Sequence, residues 1–231
     1  MITIGATLQY GSYVLAFLNI KLKISRLLVL IAILIWGIRL TVNWAYTFHG
    51  LLHEDWRYRM LREKCGKFYP IINFVGIHLV PTLVVYAALL PAVFMFNYEV
   101  DFYFGVILGF LLSILAVFLQ GVSDIWMHSY RKKKKEGLIN NNFINVGLWK
   151  YSRHPNYLGE ILMWFGIGII GVSVLPNFWY LIFGAVINLC LFMFVSIPLA
   201  DNKQAKKEGF IEYKNKTRML LPIPKRVKVK L

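Results

Sequence analysis

Six stretches of this chain stay apolar for about the thickness of a bilayer, and that pattern constrains the fold more than any other feature. A helix rises about 1.5 Å per residue, so a hydrocarbon core of roughly 30 Å takes about 20 mostly apolar residues to cross. The candidates are about 2–20, 27–47, 71–95, 102–124, 156–175 and 177–199. The first is the most diluted, by Gln9, Tyr10, Ser12 and Asn19. It has neither the basic start nor the A-x-A pattern of a signal peptide. A soluble alternative fails on arithmetic. Apolar residues make up 58% and charged residues 16%, where soluble domains carry about 45–50% and about 25%. Two cysteines are too few for a disulfide scaffold. The expected fold is an all-α polytopic membrane helical bundle of about six transmembrane helices, one integral membrane domain over 1–231.

Charge tests that layout. The net charge is +15, which in such a chain is a topology signal before it is a nucleic-acid signal. Of 26 Lys and Arg, 22 fall in the segments near 48–70, 125–155 and after 200. Lys21, Lys23 and Arg26 lie on the other side, and Arg39 lies inside the second run. Such segregation is what six spans with both termini cytoplasmic require, and it turns the ionisable residues toward the cytosol. Membrane lipids and a lipophilic small molecule are the partners expected, without nucleic acid. The composition leaves oligomeric state open, and the membrane is either a bacterial inner membrane or the endoplasmic reticulum.

Several motifs have plain readings. Gly166-x-Gly168-x-x-Gly171 matches a dinucleotide fingerprint as text, but it lies inside a span, where small residues serve close helix packing. Gly105 and Gly109 read the same way. His49 and His53 stand four apart, a spacing that suits a metal, yet no second pair accompanies them, and no metal site is expected. Glu54 to Arg59 reads as an interfacial helix. The run from Arg131 to Lys135 reads as an anchor near anionic lipid, with Arg131, seven residues after Asp124, placed by the end of the fourth span. Arg39 needs a carboxylate partner or a substrate role.

The strongest signal runs from Gly147 to Glu160, where a basic stretch passes straight into the fifth span. Pro155 suits the first turn of a helix. The positive end of that helix then lies beside Arg153 and His154, a natural place for an anion. Asn156, Glu160 and Trp164 follow at i, i+4 and i+8, a polar stripe descending into the membrane. Near the C-terminus, Tyr213 and Arg218 are placed to fold back over this start.

Arg153-His154-Pro155-Asn156-Tyr157-Leu158-Gly159-Glu160, Ser123-Asp124 with Arg131, and Glu212-Tyr213 followed by Thr217-Arg218 and Pro222 together resemble the steroid 5-alpha-reductase superfamily. Within it the likeness is to a bacterial and protist branch carrying a domain of unknown function. It covers about 36–222. The Arg-His-Pro core is shared with isoprenylcysteine carboxyl methyltransferases and sterol C14 and C7 reductases. Steroid reductases usually have seven spans, where six are visible here. The resemblance implies NADPH, bound from the cytosol by Asp124, Arg131, Arg153, His154, Asn156, Tyr157, Tyr213 and Arg218. It also implies reduction of a C=C bond conjugated to a carbonyl in a steroid-like or other lipophilic substrate. Glu160 is the catalytic candidate, as a neutral acid donating a hydrogen bond to the carbonyl oxygen as charge builds there. Two other functions fit the same chain: a methyltransferase using S-adenosylmethionine, and a non-catalytic sterol- or lipid-binding protein.

Overall fold

The structure, a computed structural model, describes residues 23–223 apart from 49, 51–53, 99–100 and 102. The first expected span and the His49/His53 pair lie outside the described residues. Within them, five helices are long and apolar enough to cross a membrane: α1 (Ile24–Thr47), α2 (Trp56–Asn97), α3 (Phe104–Lys135), α4 (Pro155–Val174) and α5 (Pro176–Gln204). A short α6 (Phe210–Lys216) follows. The protein is thus an all-helical polytopic membrane bundle.

Two of these helices outrun their apolar stretches. The expected interfacial helix is the first part of α2, whose start is capped by Asp55, accepting from the Arg57 N–H at 2.9 Å. After a break at Gly66, whose φ is +49°, the helix resumes and passes Pro70, Pro81 and Pro91 without ending. Its turns widen to π geometry over Phe74–Leu79, just before Pro81. In α5 they widen over Phe192–Ser196, just before Pro198. A proline lacks an N–H and its ring presses on the carbonyl four residues back, and a wider turn relieves both. α3 runs to Lys135, past the apolar limit near 124. Asp124, His128, Arg131 and Lys135, spaced three or four apart, therefore share one helical face.

α4 is the central helix, and glycines let its neighbours close on it. A Cβ at Gly166 would strike the Gly109 carbonyl and the Ser113 hydroxyl, one at Gly159 the Ala116 carbonyl, and one at Gly171 the ring of Pro91. The small-residue reading of both glycine patterns holds. Trp164 is fully buried, in a core that includes Val29, Ala32, Met95, Met163 and Ile167. At one end of the bundle the buried Arg26 donates to the carbonyls of Met95 (2.9 Å) and Tyr98 (2.7 Å). It thereby satisfies acceptors that the end of α2 leaves without helical partners. The opposite end gathers the basic segments, since Thr47, Trp56, Asn142 and Lys207 line one cavity there.

Candidate functional site

The start of α4 is held by a carboxylate 41 residues beyond its glutamate, at the end of the next helix. Asp201 is 3% exposed. Arg153 donates to it from Nη2 (3.0 Å) and more weakly from Nε (3.4 Å), and His154 Nε2 lies 2.9 Å from its Oδ1. Lys214 of α6 reaches the same carboxylate at 3.4 Å. Arg153 also donates to the carbonyls of Lys214 and Thr217, while its own N–H donates to the Arg218 carbonyl at 2.9 Å. Asp201 is thus the hub that ties α4, α5 and the tail together. The sequence reading missed it. The signal was a lone acid at the end of an apolar run, which demands a cation.

Above this hub opens a cavity of about 810 Å3. Seven of the eight residues expected to hold a cofactor line it: Asp124, Arg131, Arg153, His154, Asn156, Tyr157 and Tyr213. Its wall adds Lys134, Lys135, Lys203 and Lys207, and four aromatic side chains of the kind that cover a planar ring, Trp56, Phe143, Trp149 and Phe210. Lys203 sits over the Trp56 ring at 4.1 Å. Burial, with the nearby Lys134 and Arg131 charges, holds the Lys207 ammonium below the usual lysine range. Burial pushes the Tyr213 phenol above its usual range, and its hydroxyl donates to the Trp149 carbonyl, pinning the tail over the cavity. Tyr157 stacks on His154, with the ring planes 8° apart. Two buried acceptors in the wall, Asn156 Oδ1 and Gln204 Oε1, have no partner among the described residues.

Two arginines differ from expectation. Arg153 lines the cavity, but its guanidinium is committed to Asp201 and to backbone carbonyls, because a buried cation at a helix start needs a fixed anion more than a transient one. Arg218 does fold back to the start of α4, through its backbone, but its side chain is exposed and lies outside the cavity lining. The cavity cations in no ion pair among the described residues are instead Arg131 and the lysines of α3, α5 and the tail. The run to Lys135 read as an anchor near anionic lipid, and nothing local in the sequence shows that Lys203 and Lys207 face Arg131.

Behind the cavity wall a polar seam descends into the bundle. Asp124 accepts from Arg39 Nε (3.0 Å) and Nη2 (2.6 Å). Arg39 Nη1 donates to Gln120 Oε1 at 2.7 Å, and Gln120 Nε2 donates to Glu160 at 2.9 Å. The indoles of Trp36 and Trp164 donate to Glu160 as well, each at 2.9 Å. Every polar partner of Glu160 is therefore an N–H donor. Toward these three protein groups among the described residues Glu160 is an acceptor; its expected donation was to a substrate oxygen. Arg39 has the carboxylate partner that its place in a span required.

The residues fit a ligand that carries several negative charges and an aromatic ring system. The volume falls inside the 300–1,000 Å3 of ordinary ligand sites, the wall is strongly cationic, and the two unpartnered acceptors suit amide or amino N–H groups. A model of one family, described as a protein of unknown function (DUF1295), matches residues 2–217, and the chain belongs to that family. No curated protein and no solved structure matches the chain.

Proposed function

We propose that this member of the DUF1295 family is a membrane-embedded, NADPH-dependent reductase of the steroid 5-alpha-reductase type, acting on a C=C bond conjugated to a carbonyl in a lipophilic substrate. The observation that carries this reading is the convergence of seven residues from α3, the start of α4 and α6 on one cationic cavity. They are spread over 90 positions of the chain, from Asp124 to Tyr213, and were nominated for one ligand.

In this reading Arg131, Lys134, Lys203 and Lys207 hold the phosphates, with the start of α4 adding its positive dipole end. Asn156 and Gln204 accept from the amide and amino groups, and Tyr157, Trp56 and Phe143 cover the rings. When bound, the nicotinamide supplies a hydride to the substrate alkene. The chain's own task is to hold the two faces together and to exclude water. α6 and Tyr213 close the cavity from one side, and the glycine-packed α3 and α4 give it a rigid floor. Glu160, one turn below Asn156, is the catalytic candidate, used as an acceptor that orients a donor group at the reacting face. Active-site access from the cytosol follows from the basic end of the bundle.

The methyltransferase reading is disfavoured by the wall itself. S-adenosylmethionine carries a sulfonium and no phosphate, so a wall holding Arg131, Lys134, Lys135, Lys203 and Lys207 would oppose it. Calorimetric titration of the purified protein in detergent tests the choice. NADPH should bind and S-adenosylmethionine should not. Binding of S-adenosylmethionine with indifference to NADPH would overturn the reading.

A further inference from the structure

We infer that Arg39 fixes the direction of the hydrogen bonds between the cavity wall and Glu160, and that this positioning makes Glu160 an acceptor. The inference deepens the reductase reading in the role of Glu160 alone, and it stands on the seam rather than on any nucleotide.

A guanidinium has five N–H groups and no acceptor. Arg39 spends two of them on Asp124 Oδ2 and one on Gln120 Oε1. An amide whose oxygen is taken by a donor must turn its NH2 the other way, and there Glu160 Oε2 lies 2.9 Å from Nε2. The remaining partners leave no choice either. An indole N–H only donates, and Trp36 and Trp164 hold Oε2 and Oε1 respectively. So two donors to Glu160 are fixed by their own chemistry and the third is fixed by Arg39.

Water has little access to rearrange this. Gln120 is fully buried, and the side chains of Arg39 and Asp124 are 16% and 15% exposed. Gly159 lets α4 close on the stem of Gln120, where a Cβ would meet the Gln120 Cγ at 2.5 Å. The groups facing Glu160 are Trp36 from α1, Gln120 from α3 and Trp164 from α4, with the Arg39–Asp124 pair behind Gln120. No other titratable side chain is in hydrogen-bond contact with it among the described residues.

If Gln120 presented its oxygen instead, two oxygens would face each other, and only a carboxyl proton between them would make that contact favourable. Arg39 is what denies the chain that alternative. Without a donor-only cation at position 39, the amide can turn, and Glu160 can donate to it.

Infrared spectroscopy of the full-length protein in detergent, without nucleotide, reads this directly. The wild type at pH 7 should show no carboxylic-acid C=O band that Glu160→Gln removes. Arg39→Met should gain such a band, equivalent to one carboxyl per chain, and Arg39→Met/Glu160→Gln should lose it. Arg39→Lys keeps a donor-only cation and should look like the wild type. If Arg39→Met fails to fold because Asp124 is left unpaired, Arg39→Met/Asp124→Asn removes both charges and should gain the same band. A Glu160 acid band already present in the wild type, its appearance in Arg39→Lys, or its absence from the folded Met variant overturns the inference. A protein that passes this test and ignores NADPH would end the reductase reading and leave the role of Arg39 standing.

Discussion

The hub at Asp201 and the wall of the cavity lie side by side and treat charge in opposite ways. At the hub, one carboxylate collects Arg153, His154 and Lys214, and both partners of the main pair are almost wholly buried. On the wall, Arg131, Lys134, Lys135, Lys203 and Lys207 face one space with Asp124, and Asp124 is already occupied by Arg39. Cations gathered around a shared carboxylate set shape, while cations facing one space without such an anion store repulsion that a polyanion relieves. The comparison separates arginines that hold the protein together from cations that hold a ligand, and sequence proximity to the helix start does not make that separation.

The hub should give the largest effect. Breaking a buried pair from one side leaves uncompensated charge and costs about 3–5 kcal/mol. Asp201→Ala should therefore lose folded protein or much of its thermal stability in detergent. Replacing both members, Asp201→Leu with Arg153→Met, should restore part of that loss. If the double variant is worse than the single one, the carbonyl contacts of Arg153 outweigh its ion pair, and the hub is not what this contrast takes it to be.

Glu160 should come next, with an effect on turnover and also on stability, since the N–H groups of Trp36, Gln120 and Trp164 lose their acceptor, but little effect on NADPH binding. Removing the acceptor that orients a donor misplaces that donor, and losing one preorganised donor at a reacting centre costs about 100-fold in rate. Glu160→Ala should lose about that much turnover on the true substrate while NADPH affinity stays near wild type, since Glu160 lies outside the cavity lining. Turnover unchanged in the Ala variant would move the reacting face elsewhere.

The two arginines of the resemblance then split. Arg131→Ala should weaken NADPH binding roughly five- to ten-fold, the lower end of a charge-assisted contact because the residue is exposed to solvent. Arg218→Ala should change it less than about two-fold, because only its backbone meets the site. Equal losses in both would place the bound phosphates nearer the tail than the cavity suggests.

Much of the fold was legible because the membrane simplifies it. Apolar runs longer than 20 residues have one outcome, and Pro155 and the glycines announce where α4 starts and what it packs against. The exceptions have local physical causes. Prolines ordinarily interrupt a helix, and the π turns before Pro81 and Pro198 let α2 and α5 continue past them. The site was legible as a set of residues and illegible in its partners. Arg153 points at an acid 48 positions away, Gln120 gives no sign of the glutamate it contacts, and Lys207 reaches the cavity only because the tail folds back. Residue type predicts that a cation needs an anion; it does not say whether that anion belongs to the chain.

Lys207 carries the smallest effect and the sharpest version of the contrast. Burial and the charges of Lys134 and Arg131 depress its folded-state pKa below the usual lysine range. In the unfolded chain the ammonium is protonated up to that usual range. Folding therefore bears the full cost of this charge at neutral pH, and the cost fades as pH rises through the folded value toward the unfolded one. Lys207→Gln should stabilise the ligand-free protein at pH 7, by under about 1 kcal/mol because the group is partly screened, and the gain should shrink in alkaline buffer. The same change should weaken NADPH binding by about five-fold or less. A bound polyanion favours the protonated lysine, so wild-type affinity should fall as pH climbs through the depressed value, with proton uptake on binding in that window, and the fall should be shallower in the Gln variant. Thermal unfolding at neutral and alkaline pH, paired with titration calorimetry across the same range, measures both sides. A Lys207→Gln protein that is less stable and binds NADPH unchanged would show that the wall is balanced after all, and the distinction between hub and wall would collapse.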